Sequence, residues 1–153
     1  MAAESGTEFR QVTVVDAHGT TAVHNGSQTL GTFGNAQGAA CVAAGNMLDN
    51  PGVPDAVVEA FVASSGELET RLMAALRAGL DAGGEAGPVK SAGLSVTSGH
   101  GWRDTDLRVD WEEDPIGRLA ELLDVWLPQR DDYVVRALTP DASIGYGVPG
   151  DDR

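Results

Sequence analysis

Gly38-Ala-Ala-Cys-Val-Ala-Ala-Gly-Asn-Met-Leu48 is the stretch whose reading decides the fold. It is small, apolar and uncharged. Its first part, residues 38–44, reads as a buried central strand, and Gly45-Asn46 breaks it with a turn. Alanine and glycine leave little side-chain bulk, so a neighbouring layer can approach such a strand closely. The expectation is that the other layers pack around it.

Two strands are expected before it. Residues 10–16 (Arg-Gln-Val-Thr-Val-Val-Asp) are β-branched and partly alternating, and residues 20–24 form the return arm of a hairpin across Ala17-His18-Gly19. Residues 25–37, rich in Gly, Asn, Ser, Thr and Gln, read as a loop. After the central strand, Pro51 and Pro54 place a helix start near residue 54, with Val57, Val58, Phe61 and Val62 on one stripe. Ser64 and Glu67 have the spacing of a capping box. The helix they would open carries Leu68, Leu72, Leu76 and Leu80 at i+4 spacing and ends at Gly83-Gly84.

Residues 91–98 and 106–111 read as two further strands. Asp114-Pro115 then opens a helix, an N-cap acid followed by proline at the first helical position. Ile116, Leu119, Leu122, Leu123 and Trp126 form its apolar stripe, and Pro128 is expected to stop or kink it. The order is two strands, a third, two helices, two strands and a helix. Elements are grouped rather than alternating, so the fold class is α+β, helices layered on antiparallel sheet. The expected division is a lead-in over 1–9, one domain over 10–128, and a tail over 129–153.

The bulk numbers bound the function. The chain has 153 residues, 42% of them hydrophobic, enough for one domain with a real core. Twenty-three acidic and 10 basic residues give a formal net charge of −13. Nucleic acid and anionic membrane are excluded as partners, because phosphate binding needs clustered Lys and Arg. The single cysteine, Cys41, rules out an intramolecular disulfide and a Cys-rich metal site. No apolar run approaches the ~20 residues of a membrane span. No signal peptide is read at the start, so the expected compartment is the cytoplasm.

Few residues are placed for chemistry. Among the three histidines, His18 and His100 read as exposed loop residues. His24, closing a strand before the glycine-rich segment, is better placed for a site. No metal-ligand spacing and no phosphate-cradling glycine motif occur, so neither metal nor cofactor is expected. Cys41 reads as a packing residue. The acidic run Asp110, Glu112, Glu113 and Asp114 fits a helix N-terminus, with a catalytic carboxylate pair as the alternative. Thr7, if freed by cleavage after Gly6, could attack through its hydroxyl with its own amine as base. Asn46, just beyond the central strand, can cap a turn or aim its amide at a ligand or a developing oxyanion.

Several landmarks together resemble one family. They are Arg10-Gln-Val-Thr-Val-Val-Asp-Ala-His-Gly, then Ala43-Ala44-Gly45-Asn46-Met47-Leu48, Lys90-Ser91-Ala92, Asp106-Leu-Arg-Val-Asp, and Asp114-Pro115 opening a Leu-rich helix. The chain resembles the family of domains of unknown function numbered 1028 (DUF1028). The tail Tyr146-Gly-Val-Pro-Gly-Asp is similar to the ending of some members.

That resemblance implies an N-terminal nucleophile (Ntn) hydrolase-like fold, two antiparallel sheets sandwiched between helical layers. It implies that this chain matches the C-terminal part of the family only. The family's usual opening strand, of the type Thr-Phe-Ser-Ile-Val-Ala, would hold the nucleophile, so no catalytic residue is carried over. The arginines that members often carry after Gly83-Gly84 are replaced here by Glu-Ala-Gly-Pro-Val-Lys. Ancestral amide-bond hydrolysis on an unknown small-molecule substrate is the implied chemistry. His24, Gly45 and Asn46 are the residues expected at the substrate cleft. The alternative is a non-catalytic module pairing with itself or another chain, a homo-oligomer being the expected assembly.

Overall fold

The computed structural model describes residues 5–151. The chain divides into two compact units, Met1–Lys90 and Ser91–Arg153.

The first unit opens with a 3-10 turn, Thr7–Phe9, and two antiparallel hairpins. Strand β1 (Gln11–Val15) pairs with β2 (Thr21–Asn25), and β3 (Gly34–Gly38) with β4 (Cys41–Gly45). Helices α1 (Val53–Ala63) and α2 (Leu68–Asp81) follow. Of the lead-in expected over 1–9, residues 1–4 lie outside the described residues.

Strand β3 corrects the expected loop over 25–37. Its sequence, Gly-Asn-Ala-Gln-Gly, has little strand propensity of its own, and packing supplies what propensity does not. A Cβ on Gly34 would lie 2.7 Å from the Pro51 carbonyl oxygen. One on Gly38 would lie 2.8 Å from Val58 Cγ1 of α1. Gly34, Ala36 and Gly38 share a face with their partners Gly45, Ala43 and Cys41, and this small-residue face seats α1. The close approach expected of the Ala/Gly segment is therefore present, made by both arms of the hairpin.

The opening stretch itself is corrected in detail. It is not one buried strand from residue 38. Gly38 ends β3, Ala40 turns the chain at φ 55°, and β4 begins at Cys41. The residues of β4 are half-buried, with Ala44 exposed. Leu48, beyond the turn, is the buried one, and its amide donates to the Thr32 carbonyl.

The odd residues of β1 face β4. The Gln11 side-chain amide donates to the carbonyls of Gly45 (2.9 Å) and Gly34 (3.3 Å). Alternation then turns Val12 and Val14 to the opposite side with their partners His24 and Ala22. Val12 and Val14 are about half exposed, at 50% and 52%.

The helices differ from expectation at their junction. Ser64 is the C-cap of α1, its hydroxyl donating to the Phe61 carbonyl, and Glu67 precedes α2 without a side-chain cap. The turn between them runs through Gly66 at φ 99°, and the N-cap of α2 falls at Glu67, three residues beyond the position the capping box assigns to it. The buried face of α2 is Glu69, Met73, Ala75 and Gly79 rather than the leucine row. A Cβ on Gly79 would lie 2.7 Å from Val57 Cγ2, so small residues set the α1–α2 contact. Leu68 and Leu80 stay partly exposed. Gly83 and Gly84, both at positive φ, end α2 as expected.

In the second unit β5 (Ala92–Val96) pairs antiparallel with β6 (Thr105–Val109), and α3 (Pro115–Leu138) packs on both. Asp114 caps α3, accepting from the Gly117 amide at 2.9 Å. Ile116, Leu119 and Leu123 are buried on the expected stripe. Pro128 does not stop the helix, which continues ten residues to Leu138. Proline removes one backbone donor here, and the Gln129 side chain donates to the nearby Val125 carbonyl at 2.7 Å. The architecture is α+β: three two-stranded antiparallel sheets and three α-helices among the described residues. None of these helices is long and apolar enough to cross a membrane.

Candidate functional site

In the first unit the turn after β4 brings Gly45 and Asn46 against the glycine-rich segment. Met47 adopts φ 54°, and its amide donates to the Leu30 carbonyl at 3.1 Å. The Asn46 side-chain amide reaches the same carbonyl at 3.4 Å, a long contact that leaves the group weakly held. The Gly45 carbonyl is taken by Gln11. His24 does not join them. It lies on the face of β1–β2 turned away from β4, and its Nε2–H donates to the Thr7 carbonyl at 3.2 Å.

The remaining residues singled out from the sequence are accounted for locally. His18 sits in an exposed turn whose geometry is set by Asp16. One Asp16 carboxylate oxygen accepts from the amides of Thr20 and His18, each at 2.8 Å, which holds that carboxyl below the ordinary range. Cys41 is half-buried and lines a cavity of about 280 Å³ with Val15, Val42, Val58, Phe61 and Leu72. Thr7 lies inside the opening 3-10 turn. Asp110 binds Arg108, the Glu112 carboxylate accepts from the Glu113 amide, and Asp114 caps α3. Among the described residues no group of three or more His, Cys, Asp and Glu side chains could hold a metal ion.

The sequence reading missed a polar cluster in the β5–β6 loop of the second unit. Asp104 is buried, its side chain 5% exposed. It accepts from the Ser98 amide at 2.6 Å, from the Ser98 hydroxyl, and from His100 Nδ1 at 2.9 Å. The His100 bond first, then the Ser98 hydroxyl, hold the Asp104 carboxyl below its ordinary value. An ionised carboxylate can only accept, so the proton of a neutral His100 sits on Nδ1 and its Nε2 carries the lone pair.

This is the orienting half of an Asp–His dyad. It is not a nucleophile triad. The Ser98 hydroxyl lies 3.1 Å from Nδ1, on the same side as the carboxylate, whereas a relayed serine would face Nε2. The available sequence signal was Ser98-Gly-His100 followed four residues later by Asp104, hidden by its Gly-rich, loop-like composition.

The His100 ring stacks on Trp102, centroids 5.2 Å apart. Trp102 in turn borders a cavity of about 430 Å³, with Asp104, Arg103, Asp106 and Leu107 from the strand side and Trp126, Arg130, Tyr133 and Val134 from α3. The Trp126 indole N–H donates to the buried Thr105 hydroxyl at 3.0 Å, and its ring lies 5.3 Å from that of Tyr133. Arg103 is paired with Asp106 at 2.9 Å and Arg130 with Asp131 at 2.8 Å.

The model of a family described as "Family of unknown function (DUF1028)" matches residues 1–119. Among solved structures, that of a Silicibacter pomeroyi protein assigned to the same family model is similar to this chain, with 34% identity and a TM-score of 0.74. The likeness covers 85% of this chain and 56% of that one, so the chain spans little more than half of its relative's length. No curated protein matches the chain.

Proposed function

The chain belongs to the DUF1028 family, and from that premise we propose that it is an Ntn-hydrolase-like protein whose chemistry is amide-bond hydrolysis. Gly45 and Asn46 form a wall of the substrate cleft. The Asn46 amide, held only by a long bond to Leu30, is the donor that would turn to an oxyanion developing on a small amide substrate. That loosely held amide at the end of a glycine-lined strand is the observation that carries the reading. The layering of the first unit supports it: α1 on one face of β3–β4 and β1 against β4, as one half of a layered sandwich requires. His24, on the other side of the β1–β2 hairpin, is outside this cleft.

The experiment is hydrolysis of a broad panel of small amides by the chain with and without an N-terminal extension carrying the family's Thr-Phe-Ser strand, each with and without Asn46→Ala. Loss of one oxyanion donor lowers turnover by about 10²–10³-fold. Hydrolysis that survives the substitution unchanged removes Asn46 from the cleft.

A second reading is favoured by Val12 and Val14, half exposed on the outer face of β1–β2. In it the chain is a non-catalytic module that pairs through this face with a second copy of itself. Sedimentation decides it: a clean monomer at high concentration is incompatible with the reading.

A further inference from the structure

We propose that the aromatic cavity of the second unit binds an uncharged planar heteroaromatic ring with both donors and acceptors on its edge, a purine nucleoside being the representative ligand. Nothing in this depends on the hydrolase reading.

The walls argue for a flat ring. Trp102, Trp126 and Tyr133 all border the cavity. Trp102 is held from outside it by the His100 stack and Trp126 by the Thr105 hydroxyl, and the Tyr133 ring rests against Trp126. Such surfaces are pre-organised, so a stacking ligand orders little on binding. A volume of about 430 Å³ lies within the range of small-molecule sites.

The charges argue for a neutral ligand. Two arginines, Arg103 and Arg130, and two aspartates, Asp104 and Asp106, line the space. Their formal charges cancel, so an anion meets the aspartates and a cation meets the arginines. The net charge of −13 opposes a polyanion further. What the lining offers is paired donor and acceptor groups. Arg103 and Asp106, 2.9 Å apart, present guanidinium N–H groups beside carboxylate oxygens. A heterocycle edge carrying both a ring carbonyl and an N–H matches that pair. Asp104 is occupied by Ser98 and His100, so it positions the Trp102 loop rather than reading the ligand.

The test is titration of the full chain with guanosine, followed by tryptophan fluorescence and calorimetry. Saturable binding with quenching is expected. Arg103→Gln and Trp102→Leu, both at exposed positions, should each weaken it about tenfold or more, with an unchanged circular dichroism spectrum. If Trp102→Leu disturbs the loop, Arg103→Gln alone decides. Guanosine monophosphate should bind no more tightly than guanosine, and methyl glucoside should not compete. Absence of saturable guanosine binding overturns the proposal. So does unchanged affinity in a folded Arg103→Gln, a clear preference for the monophosphate, or displacement by the glycoside.

Discussion

His100 donates from Nδ1 to the buried carboxylate of Asp104 across 2.9 Å, and the same carboxylate takes both the amide and the hydroxyl of Ser98. One aspartate therefore ties down the whole β5–β6 loop. Its carboxyl is held below the ordinary value of 3.8 by these donors. A carboxyl with a lowered folded pKa stabilises the fold above its unfolded pKa. That contribution is lost as pH falls through the folded value. The second unit should thus lose stability on acidification below about pH 4. Asp104→Asn should be less stable at pH 7 and show a flatter acid limb. Denaturant midpoints at pH 7 and at pH 3, for both proteins, check this.

The seating of α1 on β3–β4 is a matter of missing side chains. A methyl group on Gly34 would meet the Pro51 carbonyl at 2.7 Å, a backbone atom that cannot swing aside. Gly34→Ala should therefore cost about 1–3 kcal/mol. Gly87→Ala serves as the control, since nothing lies within 4 Å of its Cβ position and its φ is not positive. That variant should stay within about 0.5 kcal/mol of the parent. Equal stabilities for the two variants would contradict the close-packing account.

What was legible in the sequence was whatever local chemistry decides. The 10–16 and 20–24 hairpin, the Asp114-Pro115 start and the Ile116/Leu119/Leu123 stripe follow from turn residues, caps and periodicity, and each is where expected. Strand β3 was not legible, because Gly-Asn-Ala-Gln-Gly becomes a strand only when α1 lies across it. The leucine row of α2 misled for the same reason: small residues let α1 and α2 approach, and Gly79 carries no apolar signal. Ser64 had the spacing of a cap but was needed to end α1. At the candidate site, Asn46 was visible as a turn residue. The Ser98–His100–Asp104 cluster was not, since its members meet only when β5 and β6 pair.

Helix α3 begins on a single side-chain hydrogen bond, Asp114 to the Gly117 amide, with Pro115 at the first position. Removing that acceptor leaves a helix-terminal donor without it. Asp114→Ala should cost about 1 kcal/mol, within a range of about 0.5–2, and Asp114→Ser should recover most of it. Because α3 covers both strands of the second unit, the loss should appear as a lower denaturant midpoint with an unchanged slope.

Val12 and Val14 stand on the outer face of β1–β2 with His24 and Ala22, while Gln11 and Val15 are turned inward. Half-exposed valines in a row on a two-stranded sheet are an apolar face open to solvent. Burying each is worth roughly 1 kcal/mol. If this face pairs two copies, two valines from each side weight the dimer by well over tenfold in Kd. Val12→Lys combined with Val14→Lys should then shift sedimentation to the monomer without altering the circular dichroism spectrum, since both side chains already reach solvent. The matched change Thr13→Lys, also exposed but on the opposite face, should leave both association and stability as in the parent. A double-lysine protein that sediments as the parent does would remove the outer face from any self-association.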